Sequence, residues 1–144
     1  MMEAAVRKLF ERYENFCNQS LGGHADMDEV ASLYAPEFIG AAPAGVMTGK
    51  NDDQFKQAIV QGYAHYRAIG TTEMRIRNVR LSSIDECHCL AHVAWTATYA
   101  QKGRGHKVID FDVHYFVQIL DSEAKIFGWV SGDEQALLKE HGII

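Results

Sequence analysis

Asp110, Asp112 and His114 alternate along one stretch of the chain, so on an extended strand all three share a face. Carboxylates two residues from an imidazole are the parts of a proton relay or of a carboxylate–histidine metal site. They are equally the parts of a polar strand face turned to solvent or to a second subunit. The segment Cys87-His88-Cys89-Leu90-Ala91-His92 looks at first like a metal cluster. On a strand, however, its cysteines point one way and its histidines the other, so four ligands converge only if a bulge intervenes. Structural cysteines and exposed histidines are the expectation, and no metal is assigned. Trp95 and Trp129, with Tyr13 and Tyr34, are candidates to line a pocket for a flat or apolar molecule, or else to pack together. Asp133 either borders such a pocket or caps the last helix, and the cap is the expected role. No G-x-S-x-G motif is present, and the serines lack an adjacent base. Gly103-Arg104-Gly105 reads as a hairpin tip rather than a phosphate loop, so no cofactor is expected.

The elements that must position these residues are readable from periodicity. Lys107–Glu134 is the centre: Ile109, Phe111, Val113, Tyr115, Val117 and Ile119 occupy odd positions, and polar residues fill most even ones. That predicts a long strand, a turn at Asp121-Ser122-Glu123, and a return strand from Lys125 to Val130. Met74–Ile84 and Cys87–Ala100 predict two more strands. At the N-terminus, Val6, Leu9, Phe10, Tyr13, Phe16 and Cys17 make one apolar stripe, predicting a helix over residues 3–17. Asp26, with Glu29 placed for a capping box, opens a short second helix whose inner side includes Tyr34 and which Pro36 stops. Phe38–Ala42 reads as a short strand. A third helix runs from Asp52 to Ala68, with Gly70 just past its end. Leu137-Leu138 gives the apolar side of a last short helix.

Helices followed by strands indicate α+β rather than alternating α/β architecture. Strands this long must twist and curl, and helices on one side then leave a cone-shaped hollow. At 144 residues the chain is expected to form one domain, residues 1–144, with a core of its own. A formal charge of −5 argues against a nucleic-acid partner. No run reaches the roughly eighteen apolar residues of a membrane span, so no membrane is expected. Three cysteines with no framework spacing suggest reduced thiols and a cytoplasmic location.

With Tyr13 on the opening helix, Ser32–Phe38 (SLYAPEF), the stretch from Pro43 to Lys50, and the strand-turn-strand around Lys125-Ile126, the chain resembles the NTF2-like superfamily. That superfamily includes ketosteroid isomerase, scytalone dehydratase and the SnoaL-like cyclases. The resemblance covers nearly the whole chain and implies three N-terminal helices packed on a strongly curved antiparallel sheet, with a short C-terminal helix. Carried over residue by residue, the oxyanion-binding tyrosine of ketosteroid isomerase matches Tyr13, and its supporting tyrosine matches Tyr34. Its general base lands on Ala42 and its protonated acid on Phe116, neither of which can do the work. Isomerisation by that mechanism is therefore not expected.

The resemblance also bears on the parity of the central strand. Hydrophobic patterning sets the odd face against the helices, whereas the gapless comparison sets the even face inside the cone. A single β-bulge would switch one to the other. The reading adopted is that His114 and Asp112 reach the cavity. The expected function is small-molecule binding in a pocket formed by Tyr13, Tyr34, Trp95, His114, Trp129 and Asp133, in a homodimer joined through the outer sheet face. The alternatives are a cofactor-independent lyase, isomerase or cyclase, with His114 or Asp112 moving a proton and Tyr13 stabilising an oxyanion, and a non-catalytic dimerisation module.

Overall fold

The computed structural model describes residues 2–144. In chain order it runs α1 (Met2–Leu21), α2 (Met27–Leu33), β1 (Tyr34–Ala42), β2 (Gly45–Lys50), α3 (Asp53–Ala68), β3 (Thr71–Ser83), β4 (His88–Gln101), β5 (Gly105–Leu120), β6 (Glu123–Ser131) and α4 (Glu134–Glu140). The six strands form one sheet in the order β2-β1-β6-β5-β4-β3. All neighbours are antiparallel except β1 and β6, which run parallel. The architecture is the expected α+β cone, with a mixed sheet in place of the wholly antiparallel one.

Local chemistry explains each element's limits. Asp26 caps α2 by accepting the Asp28 N–H at 2.9 Å. The capping box does not form: the Glu29 carboxylate turns away to the Arg12 guanidinium at 2.8 Å, an inter-helix pair that wins over the local contact. Asp52 caps α3 through the Phe55 N–H, and Asp133 caps α4 through the Ala136 N–H. Gly70 turns the chain out of α3 at φ +95°, and a Cβ there would stand 2.5 Å from the Ala100 carbonyl oxygen, so only glycine fits.

Two sequence readings change. Tyr34 belongs to β1 rather than to α2: its backbone is already extended, at φ −114° and ψ 149°. Pro36, which holds the residue before it out of the helical region, lies inside that strand rather than past a helix end. The stretch Gly45–Lys50, where the sequence predicted no element, is a sixth strand whose side chains are largely exposed and show no alternation.

α1 does more than bury its stripe of Val6, Leu9, Phe10, Phe16 and Cys17. It also seals the free edge of β3. Asn18 accepts the Met74 N–H at 2.9 Å and donates to the Met74 carbonyl at 2.7 Å, so one side chain imitates a neighbouring strand. Glu14 takes the Ile76 N–H, and Arg7 reaches the Val79 carbonyl. An open strand edge is an aggregation hazard, and this helix removes much of it.

Bulges bend the sheet around α1. β3 carries two against β4, between Thr71 and Glu73 and between Ile76 and Asn78. The register of β5 with β4 is unbroken from Gly105 to Gln118, so no parity switch occurs in the central strand. The switch occurs in β6 instead: Val117 pairs with Ile126 while Phe116 pairs with Gly128, leaving Phe127 as the extra residue. Inward positions in β6 therefore pass from Ile126 to Trp129.

Candidate functional site

A cavity of about 580 Å³ lies between α1, α3, α4 and the inner face of the sheet. Its inner end is aromatic. Tyr13 from α1 stands 5.8 Å from both Trp95 and Tyr115, ring centroid to ring centroid, and 6.2 Å from Tyr34. Trp129 closes one wall, backed by Phe38 at 5.4 Å, and Phe55 from α3 meets Phe38 at 4.6 Å. The indole of Trp129 lies directly over Gly40 of the parallel strand β1, where a Cβ would come within 2.8 Å of the ring. A bare backbone at residue 40 is what lets the indole lie flat.

The polar groups of this end form a short network. The Tyr34 hydroxyl donates to the Tyr13 oxygen at 3.0 Å, and the Trp95 indole N–H donates to the Tyr115 oxygen at 3.2 Å. Three phenols bring three protons, and the Tyr34–Tyr13 bond uses one. Burial pushes Tyr13, Tyr34 and Tyr115 above the ordinary phenol value and the Cys17 thiol adds to the effect, while the hydrogen bond with Tyr13 at Tyr34 and that from Trp95 at Tyr115 work against it. Cys17 lines the same cavity and takes a hydrogen bond from the Tyr63 hydroxyl at 3.1 Å. Burial pushes its thiol up to about 12. At neutral pH every one of these groups is protonated, so the interior is uncharged but supplies hydrogen-bond donors.

The sequence-derived candidates divide into two groups. Tyr13, Tyr34, Trp95 and Trp129 come together around the cavity. Asp133 borders its mouth while also capping α4. His114 does not face the cavity: it lies directly across from His92 on the outer face, with the two Nδ1 atoms 2.8 Å apart. His92 in turn engages Ser82 at 2.9 Å. Asp112 reaches the mouth only by its place on β5, beyond the point where β6 has ended at Ser131. Its side chain is 66% exposed and stands 4.0 Å from Arg77, which also faces Asp110 at 3.5 Å. The reading that put His114 inside the cone is thus corrected, whereas Asp112 does reach the cavity, at its mouth. Without a bulge against β4, the apolar odd face of β5 keeps its place inside, as the hydrophobic pattern required.

Cys89 turns inward and is buried, whereas His88 and His92 lie on the opposite face, so that cysteine–histidine run diverges as alternation demands. Among the described residues no group of three or more histidine, cysteine, aspartate or glutamate side chains is placed to hold a metal ion. Among the described residues no helix is long and apolar enough to cross a membrane.

Residue-by-residue transfer missed Tyr115. The acid position fell on Phe116, an outward residue, while the neighbouring odd position carries the inward hydroxyl. Its signal was the odd-face pattern itself, in which Tyr115 carries the one hydroxyl among apolar residues. Tyr63, Tyr66, Thr71 and Glu134 also line the cavity; helical spacing sets Tyr63 and Tyr66 on one side of α3 with Phe55 and Ile59, while nothing in the local sequence distinguished Thr71 and Glu134.

A family profile described as NTF2-like protein (DUF6841) matches residues 3–134. No curated protein matches the chain. Among solved structures, an NTF2-like protein with a cystatin-like fold from Novosphingobium aromaticivorans superposes with a TM-score of 0.70 at 10% identity, covering 99% of this chain and 88% of that one. An NTF2-like protein of unknown function from Shewanella oneidensis MR-1 gives 0.67 at 14% identity, over 92% of this chain and 100% of that one. A protein of unknown function with a cystatin-like fold from Nostoc punctiforme PCC 73102 gives 0.64 at 12%, over 94% and 92%. At these identities the likeness concerns the fold alone.

Proposed function

The chain belongs to the NTF2-like family DUF6841, and from that premise we propose that its cone binds a small, mostly apolar, ring-containing molecule. A hydrogen-bond acceptor on the ligand takes an O–H from the Tyr13–Tyr34–Tyr115 group. The observation that carries this reading is the chemistry of the inner end: an aromatic, electrically neutral hollow with phenolic protons to spare. A cavity of 580 Å³ is of the size that holds a molecule of two or three fused rings.

Binding is favoured over acid–base catalysis because the inner end contains no carboxylate or imidazole, and its thiol and phenols keep their protons at neutral pH. A proton taken from a ligand bound there would have no acceptor. His114, the leading candidate base of the enzyme reading, faces the other way. The three free cysteines support a reducing, cytoplasmic environment.

Titration of tryptophan fluorescence with naphthalene and with 2-acetylnaphthalene tests the proposal. The ketone should bind about fivefold more tightly, the worth of one net hydrogen bond. Tyr13→Phe should erase much of that advantage, and His114→Ala should leave both affinities unchanged. If neither compound binds, or if His114→Ala abolishes binding, the reading fails.

A further inference from the structure

We propose that the cavity selects ligands by charge: its occupant carries a positive group at the mouth, as an aromatic or alicyclic amine does, and carboxylates, sulfates and phosphates are rejected. This rests on the cavity being a binding site and adds the class of molecule it takes.

Every charged residue bordering the cavity is an acid, namely Asp110, Asp112, Asp133 and Glu134; among the described residues no lysine, arginine or histidine borders it. These acids are not equivalent. Asp110 and Asp112 turn to Arg77, and Asp133 is engaged by the α4 backbone. Glu134, exposed at the rim, is the one whose carboxylate meets the aromatic lining, where it accepts the Tyr66 hydroxyl at 3.3 Å.

Glu134 stands in an aromatic corner. Tyr63 and Tyr66 meet edge to face at 5.7 Å. Tyr99 is held above the ordinary phenol value by burial first and by the nearby Glu134 carboxylate second. Thr71 lines the same corner, directly across from Tyr99 in the β3–β4 register. It is 5% exposed; its hydroxyl proton serves the Tyr99 oxygen and lowers that phenol, while Oγ1 itself accepts no hydrogen bond. A buried hydroxyl left in that state is a cost that a bound donor would remove.

An ammonium group meets all of these features together. It donates one N–H to Glu134 and another to Thr71 Oγ1, and it presents its charge to the tyrosine rings, which attract cations through their faces. An anion placed there meets the Glu134 carboxylate and finds no cation to answer it.

Three probes of one shape separate the possibilities in the full chain: 2-naphthylmethylammonium, 2-naphthalenemethanol and 2-naphthoate, each titrated against tryptophan emission at neutral pH. The ammonium should bind at least about tenfold more tightly than the carboxylate, with the alcohol between them. Glu134→Gln should shrink that ratio to about threefold or less. Thr71→Val, which keeps the shape and removes the acceptor, should weaken the ammonium more than the carboxylate. Equal affinities, or a preference for the carboxylate, would overturn the charge selection while leaving the cavity reading intact. An undiminished ratio in Glu134→Gln would do the same, and failure of all three probes to bind would overturn both.

Discussion

Gly40→Ala makes a single methyl the test of how the cavity wall is built. The added Cβ would stand 2.8 Å from Cε2 and Cζ2 of Trp129. Ordinary contact begins near 3.4 Å, so the indole must retreat by about 0.6 Å. Behind it stand Phe38 at 5.4 Å and Tyr34 at 6.0 Å between ring centroids, while the remaining side opens on the cavity. The ring therefore shifts into open space as well as into packed neighbours, which places the cost at about 1–2 kcal/mol, the lower part of the range for overpacking. A loss of that size appears in urea denaturation and as a fall in Tm of roughly 3–6 °C for a chain of this length. The decisive comparison is a double-mutant cycle with Trp129→Leu. With the indole gone, Gly40→Ala should be neutral or slightly stabilising, because alanine loses less backbone freedom than glycine on folding. If Gly40→Ala costs as much in the Trp129→Leu background as beside the native tryptophan, the close approach of indole to backbone is not what holds glycine at this position.

Two further outcomes follow from particular geometries. Burial holds the His92 imidazole below the ordinary histidine value, with Arg80 and His114 adding to the effect from the neighbouring strands. The unfolded chain thus takes up this proton first as pH falls below about 6.5, and stability drops between there and the lower folded value. Urea denaturation at pH 7.5 and 5.5 should show a smaller loss for His92→Gln than for the native chain; equal losses would contradict the assignment. Separately, Asp121 and Ser122 both adopt positive φ, 52° and 65°, in the two-residue turn joining β5 to β6. Asparagine and glycine accept that conformation more readily, so the double change Asp121→Asn, Ser122→Gly should raise stability by up to about 1 kcal/mol, read from the same denaturation curves.

Much of this molecule was legible along the chain because its strands and helices are locally self-consistent. The odd-even pattern of Ile109–Ile119 defined β5, the stripe from Val6 to Cys17 defined α1, and Asp26 and Asp133 announced their helices as caps. The family's cone followed from helices preceding long strands, and the pairing of Tyr13 with Tyr34 followed from the resemblance. β2 escaped because an edge hairpin buries almost nothing and so carries no alternation.

The site itself was decided in three dimensions. Whether His114 or Tyr115 enters the cone depends on the register between β4 and β5, and no local property of residues 108–120 specifies where a bulge falls. The bulge formed at Phe127 in β6, carrying Trp129 inward and leaving β5 undisturbed. Likewise, Tyr66 and Thr71, Tyr99, and Glu134 come from three separate parts of the chain and share one corner only once β3 pairs with β4 and α4 folds back across the open end of the sheet. Side-chain alternation is a property of each strand alone, whereas the choice of which polar groups share a hollow belongs to the pairing between them.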